Sequence, residues 1–519
     1  MPEMKTFTRD EVAKHNTEKD CWMIIDGDVY DVSSFAKFHP GGRKTLLDLG
    51  GLDVTDEFWG LHRHEVLDRY ARLKKGRVSG APPARPSARE MAAQISKVPY
   101  AEDSVLQGFT MPFMKESHIE LRKAMRRLMS EPEVVEDALD CEETHRPPNM
   151  EVRQRLAQAG VTAMCCGPGD HLKLIPGGLC GGVVKPEEFD YLHEMVVQEE
   201  RVRNFCPGWE DGLEGGNGIS ITVILKYGKD WMKQDLLMPL LLGQEVCALA
   251  ITEAYAGSDV ASLRTTAVKD ASGENYVING TKKWITCGAY CSWYVTACRT
   301  GGKSHGGISM ILVPKSDQVK YNLIKTKYST SAGTAFLMYE DAVVPKRNLF
   351  QEEGKGFQMI MSNFNHERWF ICVNNLSRAR KCTEEVFKWA MQRKVFGQKL
   401  VEQPVIREKL AQMFSVLETN TALLYQITHT MNSIGTQGAE LGGRIALLKY
   451  GITRACHLVG DNAVQILGGR GVTRTGMGRI VETFHRFYKV PSIYGGSEEI
   501  MADLAVRMAV KGFPQQARL

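Results

Sequence analysis

The stretch that decides the fold of this chain runs from Leu249 to Thr286 and reads LAITEAYAGSDVASLRTTAVKDASGENYVINGTKKWIT. Its first part, residues 252 to 259, is a polar turn between apolar flanks. In its last part, Asn279-Gly280 predicts a tight turn between two strands, the second of which ends at Lys283 to Thr286. We expect the two parts to line one face of a flat cofactor with polar edges. Taken alone, a surface loop beside an ordinary hairpin explains them equally well.

The composition is that of an ordinary globular protein and argues against several classes of function. The 519 residues predict three or four domains. A net charge of +4 is small for this length and gives no indication of nucleic-acid binding. The 13 cysteines are irregularly spaced and include no Cys-x-x-Cys pair, which favours reduced thiols over disulfides or a zinc site. No apolar run approaches the ~20 residues of a membrane-spanning helix.

The two termini bear on where the protein is found. The first residues carry acidic side chains and lack an apolar core, so neither a secretion signal nor a mitochondrial transit peptide is expected there. The last three residues, Ala517-Arg518-Leu519, are similar to the Ser-Lys-Leu peroxisomal address, although so short a match also arises by chance. The sequence therefore predicts a cytoplasmic or peroxisomal location.

Residues 1–79 carry the motifs of a small first domain. Phe7–Val12 reads as a capped helix start, and Cys21–Val32 predicts two strands joined by an Asp-Gly turn. A His-Pro-Gly-Gly loop follows at residues 39–42. This block resembles cytochrome b5, an α+β haem domain in which such a loop carries an axial histidine. Glycines there let the backbone approach the haem edge without a Cβ clash.

The resemblance implies a haem b held by two histidines. His39 in the His-Pro-Gly-Gly loop is expected to be one iron ligand. The second is expected to be His62, which ends a Phe-x-x-Leu-His sequence typical of b5 domains fused to flavoenzymes. His64 is the alternative second ligand. Residues 80–103 are rich in proline and predict a semi-rigid linker after this domain.

The remaining chain alternates between helical and strand patterns. Apolar spacing predicts helices at Ser117–Met129 and Pro186–Arg201, with a loop at Val161–Gly182 between them. Strands are expected after Leu249 at residues 276–278, 282–286, 293–298, 308–314 and 335–338. From Gly356 the helical pattern returns and continues to the end.

Four motifs in this order of elements resemble those of the acyl-CoA dehydrogenases. Residues 252–259 are similar to the family's Thr-Glu-Pro-x-x-Gly-Ser-Asp, with Ala254 in place of proline and Tyr255 at a usually small position. Lys-Trp-Ile-Thr at 283–286 fits the strand that contacts the flavin. The other two motifs are Gln392-Arg393-Lys394-Val395-Phe396-Gly397, which resembles the element that reaches the FAD of a neighbouring subunit, and Gln465-Ile466-Leu467-Gly468-Gly469, which resembles the adenosine site. Pro404 stands where the family often has a glutamine that contacts the FAD of the neighbouring subunit, so that contact is in doubt here.

The resemblance implies a multidomain fold and an FAD site. The expected domains are a cytochrome b5-like domain (1–79), a linker (80–103), an N-terminal helical domain (104–247), a middle β domain (248–355) and a C-terminal four-helix bundle (356–519). The residues expected to bind FAD are Thr252, Gly257, Ser258, Trp284, Ile285, Thr286, Arg393, Phe396, Gln465, Gly468, Gly469, Ser497 and Glu499. A guanidinium suits the FAD diphosphate, hydroxyls suit its polar edges, and a tryptophan can pack on the ring.

The catalytic base is expected on a helix. Most relatives place a glutamate in a Tyr-Glu-Gly-Thr turn near the C-terminus, but this chain has Gly495 after Tyr494. Isovaleryl- and long-chain-type relatives instead carry a glutamate immediately before an arginine, and Glu367-Arg368 fits that pattern. Glu367 is therefore the predicted base for the α-proton. Glu498 and Glu499 are weaker alternatives.

The turn at Gly495 keeps a second expected role. In the family, the backbone N–H of this residue and a ribityl hydroxyl of FAD polarise the thioester carbonyl, and glycine retains that N–H. Ser258, Arg368 and Tyr494 are expected to contact the substrate, Arg368 mainly by orienting its surroundings.

The predicted function is the dehydrogenation of an acyl-CoA to the 2,3-enoyl-CoA, with electrons passed to the attached haem. The expected partners are an acceptor protein or oxygen and further copies of this chain in a homodimer or homotetramer. An acyl-CoA oxidase and an inactive scaffold that binds FAD and haem remain open alternatives.

Overall fold

The first unit is a small α+β domain built on a five-stranded sheet. The computed structural model describes residues 5–436, 438, 440–514 and 516–517. The sheet order is Lys5–Phe7, Lys74–Val78, Asp28–Asp31, Asp20–Ile25 and Asn16–Thr17. Short helices at Arg9–Ala13, Arg43–Leu47, Thr55–Trp59 and Glu65–Arg69 complete the unit. The predicted helix start is a capping box, in which Thr8 and Glu11 each accept the other's backbone N–H.

The segment from residue 80 to residue 103 contacts both of its neighbours along its length. Arg85 pairs with Asp26 of the small domain at 3.2 Å. Further on, the Ser96 hydroxyl donates to Glu384 at 2.8 Å, in the C-terminal helical region. A short helix, Ala88–Ala92, lies between these contacts. The segment is thus packed against folded surfaces, which its proline-rich start did not predict.

A helical domain follows the linker. Its helices are Glu116–Met129, Pro132–Thr144, Met150–Gln158, Val161–Met164, Tyr191–Arg201, Pro207–Glu210, Asn217–Tyr227 and Asp230–Leu241. The predicted loop at 161–182 therefore contains a helical turn, and its apolar residues enter the core. The helix predicted from Pro186 begins only at Tyr191, because the side chain of Asp190 caps its first turn.

A seven-stranded sheet forms the middle domain. Its order is Ile308–Pro314, Trp293–Arg299, Thr266–Lys269, Asn275–Ile285, Ala335–Pro345 and Val319–Leu323, with Cys247–Ala250 pairing parallel to Trp293–Arg299. The turn predicted at Asn279-Gly280 is wrong, because Asn275–Ile285 continues through it. Gly280 (φ +143°) lies against Thr265, where a Cβ would come within 2.7 Å of the Thr265 Cα. The strand is irregular there instead of turning, and its register to Ala335–Pro345 shifts.

Long helices make up the C-terminal region. They are Gly356–Gln392, Pro404–Ile434, Leu441–Leu467, Arg479–Phe487 and Glu498–Lys511. The apolar faces of the first four share one core cluster with Leu192 and Phe205 of the N-terminal helical domain. Among the described residues, no helix is both long and apolar enough to cross a membrane. The predicted peroxisomal address ends on Arg518 and Leu519, which lie outside the described residues.

Candidate active site

Glu367 lies in the first third of the long helix Gly356–Gln392, beside the C-terminal turn. Its Oε2 is buried and has no hydrogen-bond partner within the described part of the chain. Burial raises the pKa of Glu367, and Arg368 and Lys449 limit that rise. A buried carboxylate oxygen without a partner is costly in a folded protein, and such groups recur where a ligand or reaction uses them.

The turn that faces Glu367 is held by two cations. A Cβ placed on Gly495 (φ +64°) would lie 3.8 Å from the Glu367 Oε1 and 2.6 Å from the Ile371 Cδ1. The Arg368 Nε donates to the Gly495 carbonyl at 3.1 Å. From the other side, the buried Lys449 Nζ donates to the carbonyls of Pro491 at 2.9 Å and of Gly496 at 2.6 Å. Burial lowers the pKa of Lys449 to about 8.

The two parts of the stretch at 249–286 are brought together as predicted. The Lys283 N–H donates to the Thr252 carbonyl at 2.8 Å, which joins the polar turn to the strand end. A buried ion pair between Lys282 and Glu253, at 2.8 Å, fixes the same junction. Glu253 also accepts from the backbone N–H groups of Arg264 and Thr265. These contacts on its buried side hold the polar turn in place.

The upper surface of this junction is open. Gly257 and Ser258 are exposed, and Trp284 (φ +67°) keeps 52% of its surface exposed. Ile285 is buried in the β core, and Thr286 is half-buried. An exposed indole flanked by hydroxyls and small residues offers a planar group both an apolar face and polar edges.

Gly215 meets Thr286 from the N-terminal helical domain. A Cβ on Gly215 would lie 2.9 Å from the Thr286 Cγ2 and 3.4 Å from the Asp211 Cβ. Residues Asp211–Gly215 form a π-helical turn between two α-helical segments. Such turns are frequent at functional sites.

Arg393 and Phe396 project away from the body of the chain. Phe396 (φ +49°) and Gly397 (φ +79°) form the tip of a two-residue hairpin between Lys394–Val395 and Gln398–Lys399. Phe396 is 95% exposed, so it is not a core residue, and Arg393 is exposed as well.

The predicted adenosine-site residues lie at helix ends. Gln465 and Gly468 stand exposed where Leu441–Leu467 ends, next to Gly469. Ser497 caps the helix Glu498–Lys511, accepting from the Ile500 N–H, and the exposed Glu499 lies in the first turn of that helix. Both regions present polar groups to the outside of the subunit.

His39 and His62 face each other in the small domain, with ring centroids 6.0 Å apart. The Nδ1 of His39 bonds the Gly42 carbonyl at 3.2 Å, and the Nδ1 of His62 bonds the Phe58 carbonyl at 3.1 Å. These bonds leave both Nε2 atoms for a ligand, the arrangement by which metal-binding histidines are usually oriented. His64 packs against Trp59 instead, at 4.2 Å between ring centroids. The geometry fits a haem between His39 and His62.

The small domain contacts the long helix next to this histidine pair. Arg63, which follows His62, pairs with Glu385 at 2.6 Å, and both side chains are largely buried. Burial opposes the ionisation of Glu385, but Arg63, Lys381 and Lys388 lower its pKa to about 2. Breaking a buried pair of this kind is costly, since removing one partner leaves the other charge uncompensated.

Comparison with known proteins decides the family. The C-terminal domain model of the acyl-CoA dehydrogenases matches residues 354–509, and their middle domain model matches residues 248–341. The acyl-CoA dehydrogenase apdG of Emericella nidulans is 34% identical over 82% of this chain and 98% of its own length. The chain belongs to the acyl-CoA dehydrogenase family. Its members carry out FAD-dependent dehydrogenation of acyl-CoA, and the open junction at Trp284 fits that cofactor.

Other relatives and solved structures agree with this placement. The mitochondrial short-chain specific acyl-CoA dehydrogenase of Rattus norvegicus is 29% identical over 76% of this chain and 90% of its own length. The crystal structure of an acyl-CoA dehydrogenase from Geobacillus kaustophilus superposes with a TM-score of 0.67, at 28% identity, over 77% of this chain and all of that one. The predicted dehydrogenase fold is confirmed.

The small domain of this dehydrogenase is a haem module. Residues 8–79 match the cytochrome b5-like heme/steroid binding domain. The predicted fusion of a b5-like domain to an acyl-CoA dehydrogenase is therefore confirmed, and the paired histidines fit haem b as its cofactor.

Several polar residues at this dehydrogenase's site were not predicted from sequence. Lys449 and Asp211 carry no motif, and both come to the site only through tertiary packing. His366, the neighbour of Glu367, bonds the fully buried Glu194 at 2.7 Å. The sequence feature that could have pointed to Asp211 is the set of glycines between residues 208 and 218. Small residues there let neighbouring elements approach this helix closely.

Proposed function

We propose that this acyl-CoA dehydrogenase forms the 2,3-enoyl-CoA with Glu367 as the catalytic base. The observation that carries the proposal is the buried Glu367 Oε2, which has no partner among the described residues and lies beside the turn at Gly495. The α-proton passes to this carboxylate, and the C–H electron pair becomes the new C=C bond as the β-hydrogen leaves. FAD, when bound, takes that β-hydrogen with its electron pair.

Burial of Glu367 favours this role. A carboxylate whose pKa is raised is a stronger base, and proton transfer is most efficient when that pKa approaches the working pH. Arg368 acts indirectly, because its hydrogen bond to the Gly495 carbonyl joins the base helix to the turn. It is therefore a positioning residue.

The Gly495 N–H is the proposed donor to the thioester carbonyl. It makes no hydrogen bond to any of the described residues, so it is free for a ligand. Lys449 holds the carbonyl of Pro491 before it and that of Gly496 after it, and Arg368 holds the carbonyl of Gly495 itself, which keeps the donor oriented. Donors fixed in this way lower a barrier because they need no reorganisation during the reaction. Tyr494 and Ser258 are proposed to flank the substrate.

FAD is proposed to lie over the junction of Thr252 and Trp284, with Gly257, Ser258, Ile285 and Thr286 around it. Arg393 and Phe396 are both exposed, at and beside the hairpin tip, and Phe396 packs on almost nothing of its own subunit. We therefore assign them, together with Gln465, Gly468, Gly469, Ser497 and Glu499, to FAD sites completed by a second copy of the chain. This requires a homodimer or homotetramer.

Electrons are proposed to leave through the b5-like module. Glu385, its docking partner, follows Glu367 by 18 residues on one helix, or about 27 Å at the helical rise. It precedes Arg393 by only eight residues, or about 12 Å. The docking contact of the haem module, next to His62, is thus nearer to the hairpin proposed to serve the neighbouring subunit than to Glu367 of its own subunit. The proposed route therefore runs from the flavin of one subunit to the haem of the next.

Anaerobic stopped-flow mixing with a panel of acyl-CoA esters tests this function. Bleaching of the flavin absorbance followed by a shift of the haem Soret band is the expected sequence. Bleaching without a Soret shift would contradict the haem route, and no bleaching with any ester would favour the inactive scaffold. A stoichiometric yield of hydrogen peroxide in air would favour the oxidase.

Hybrid oligomers test the direction of the route. One subunit would carry Glu367→Gln with its haem intact, and the other would be active but lack haem through His62→Ala. Haem reduction in the hybrid is expected if electrons cross between subunits. A haem that stays oxidised would contradict the crossing.

Import is a separate proposal. Ala517-Arg518-Leu519 is proposed as a peroxisomal address, and a fluorescent protein bearing these residues at its C-terminus should enter peroxisomes, whereas one ending at Ala517 should not.

A further inference from the structure

Asp211 is a carboxylate that the proposed chemistry does not use, although it lies beside the reaction centre. It opens the π-helical turn Asp211–Gly215 and is half-buried. A Cβ on Gly215 would lie 3.8 Å from the Asp211 carboxyl carbon and 2.9 Å from the Thr286 Cγ2. Asp211 is therefore a neighbour of the flavin-facing strand end.

Two tyrosines lie near this carboxylate. Burial raises the pKa of Asp211 to about 6, and a hydrogen bond with the Tyr328 hydroxyl and the charge of Arg378 oppose that rise. Asp211 in turn raises the pKa of Tyr494, which burial already raises. Tyr494 immediately precedes Gly495, so Asp211 is close enough to influence the turn at Gly495 as well as to neighbour the flavin-facing strand end.

The same region contains buried polar atoms without partners. Arg378 is 2% exposed and pairs with Glu210 through its Nε at 3.0 Å and its Nη2, but its Nη1 has no partner among the described residues. The Glu214 Oε2 is likewise unpaired, and Glu214 borders a small cavity with Arg201, Glu210 and Leu213. A pocket for a hydrocarbon chain would not place such groups there, because each costs free energy when no ligand satisfies it.

Asp211 favours a donor over an acceptor on the ligand. Three arginines, Arg153, Arg201 and Arg378, lie near the carboxylates of Glu210, Asp211 and Glu214, so the region as a whole holds no surplus of acidic charge. Arg378 pairs with Glu210, however, and Asp211 forms no ion pair among the described residues. A second carboxylate on the acyl chain would meet the charge of Asp211, whereas a hydroxyl or an ammonium would donate to it.

We propose that Asp211 makes this enzyme selective for a short acyl-CoA whose acyl chain bears a hydrogen-bond donor, a hydroxyl or an ammonium group, beyond Cβ. The inference rests on the proposed dehydrogenation. A net hydrogen bond to a charged group stabilises by about 1.5–3 kcal/mol, which corresponds to a preference of roughly 10- to 100-fold over an apolar group of the same size.

A matched series of esters tests the preference. Valeryl-, 4-hydroxybutyryl-, 4-aminobutyryl- and succinyl-CoA place a methyl, hydroxyl, ammonium or carboxylate group at the end of a short chain. We expect kcat/KM for the hydroxyl or the ammonium ester to exceed that for valeryl-CoA by at least about 10-fold, and the two donors' values show which one the site accepts. Equal or better turnover of valeryl- or succinyl-CoA would overturn the proposal.

Variants of Asp211 separate specificity from general damage. Asp211→Val should reverse the preference towards valeryl-CoA, while Asp211→Asn, which keeps the shape, should retain part of it. Damage to the fold alone would lower all kcat/KM values together and leave their ratio unchanged, which would overturn the role of Asp211.

Binding provides a readout that does not need turnover. Calorimetric titration of the Glu367→Gln variant with the same esters should give the same order of Kd values. If no ester is turned over by the unmodified protein while the donor ester still binds more tightly, the proposed function fails and the selectivity of Asp211 stands. Equal Kd values for all esters would overturn the selectivity in either case.

Discussion

The Arg368 Nε donates a hydrogen bond of 3.1 Å to the carbonyl oxygen of Gly495. This bond joins the helix that carries the base to the turn that carries the thioester donor. Since Lys449 binds the next carbonyl, at Gly496, the turn is held from both sides. The positions of the base and of the donor N–H are thereby linked.

Gly495→Ala should lower both stability and activity. A Cβ there would lie 2.6 Å from the Ile371 Cδ1, and the left-handed φ of +64° adds about 1–2 kcal/mol for a non-glycine residue. We expect a lower melting temperature and at least about a 10-fold loss of kcat/KM through displacement of the N–H. Gly302→Ala is the control, because a Cβ at that exposed position meets nothing within 4 Å. Activity equal to that of the control would contradict the role of the turn.

His62→Ala and His64→Ala should differ in haem content. The first removes an Nε2 that faces His39, so the purified protein should lose its Soret band. The second removes a ring that packs on Trp59, so the Soret band should persist. The ratio of Soret to flavin absorbance measures both. Loss of haem in the His64 variant alone would make His64 the ligand.

Arg63→Glu should slow haem reduction while leaving flavin bleaching unchanged. The substitution places two carboxylates together in the contact with Glu385, which is largely buried, so the module should leave its docked position. The double variant Arg63→Glu, Glu385→Arg should restore the rate. Arg69→Glu makes the same charge change on an exposed position of the module and serves as control. Identical rates in the Arg63 and Arg69 variants would show that docking does not govern the transfer.

Asp211→Asn should stabilise the protein at neutral pH but not in acid. The pKa of Asp211 is raised from 3.8 to about 6 on folding, so the folded protein disfavours the ionised form. Below about pH 4 the carboxyl is protonated in both states and the variant gains nothing. As pH rises from about 4 to about 6, between the unfolded and the folded pKa, the wild-type protein loses stability that the amide retains. Melting temperatures at pH 4 and pH 7.5 test this, and an equal difference at both values would contradict it.

Local sequence signals were reliable where the structure they specify is local. The Thr8 and Glu11 capping box is formed by residues three positions apart, and the capped helix start was predicted correctly. The tight turn predicted at Asn279-Gly280 was wrong because a tertiary contact of Gly280 with Thr265 overrides the turn preference of the pair.

The polar lining of the site could not be read from the sequence. Asp211 and Lys449 belong to helices whose sequences show no catalytic motif, and their roles depend on residues more than forty positions away. By contrast, Glu367-Arg368 together with Gly495 was a paired signal, and the structure places these residues against each other.

The most direct test of the account is the anaerobic rate of flavin bleaching in Glu367→Gln. The amide keeps the shape of the side chain but cannot accept the α-proton, so we expect bleaching by an acyl-CoA to slow by at least about 10²-fold. FAD content and acyl-CoA binding should be retained. The matched control is Glu136→Gln, an exposed position on the helix Pro132–Thr144, which should bleach at the unmodified rate. Unchanged bleaching in the Glu367 variant would contradict Glu367 as the base.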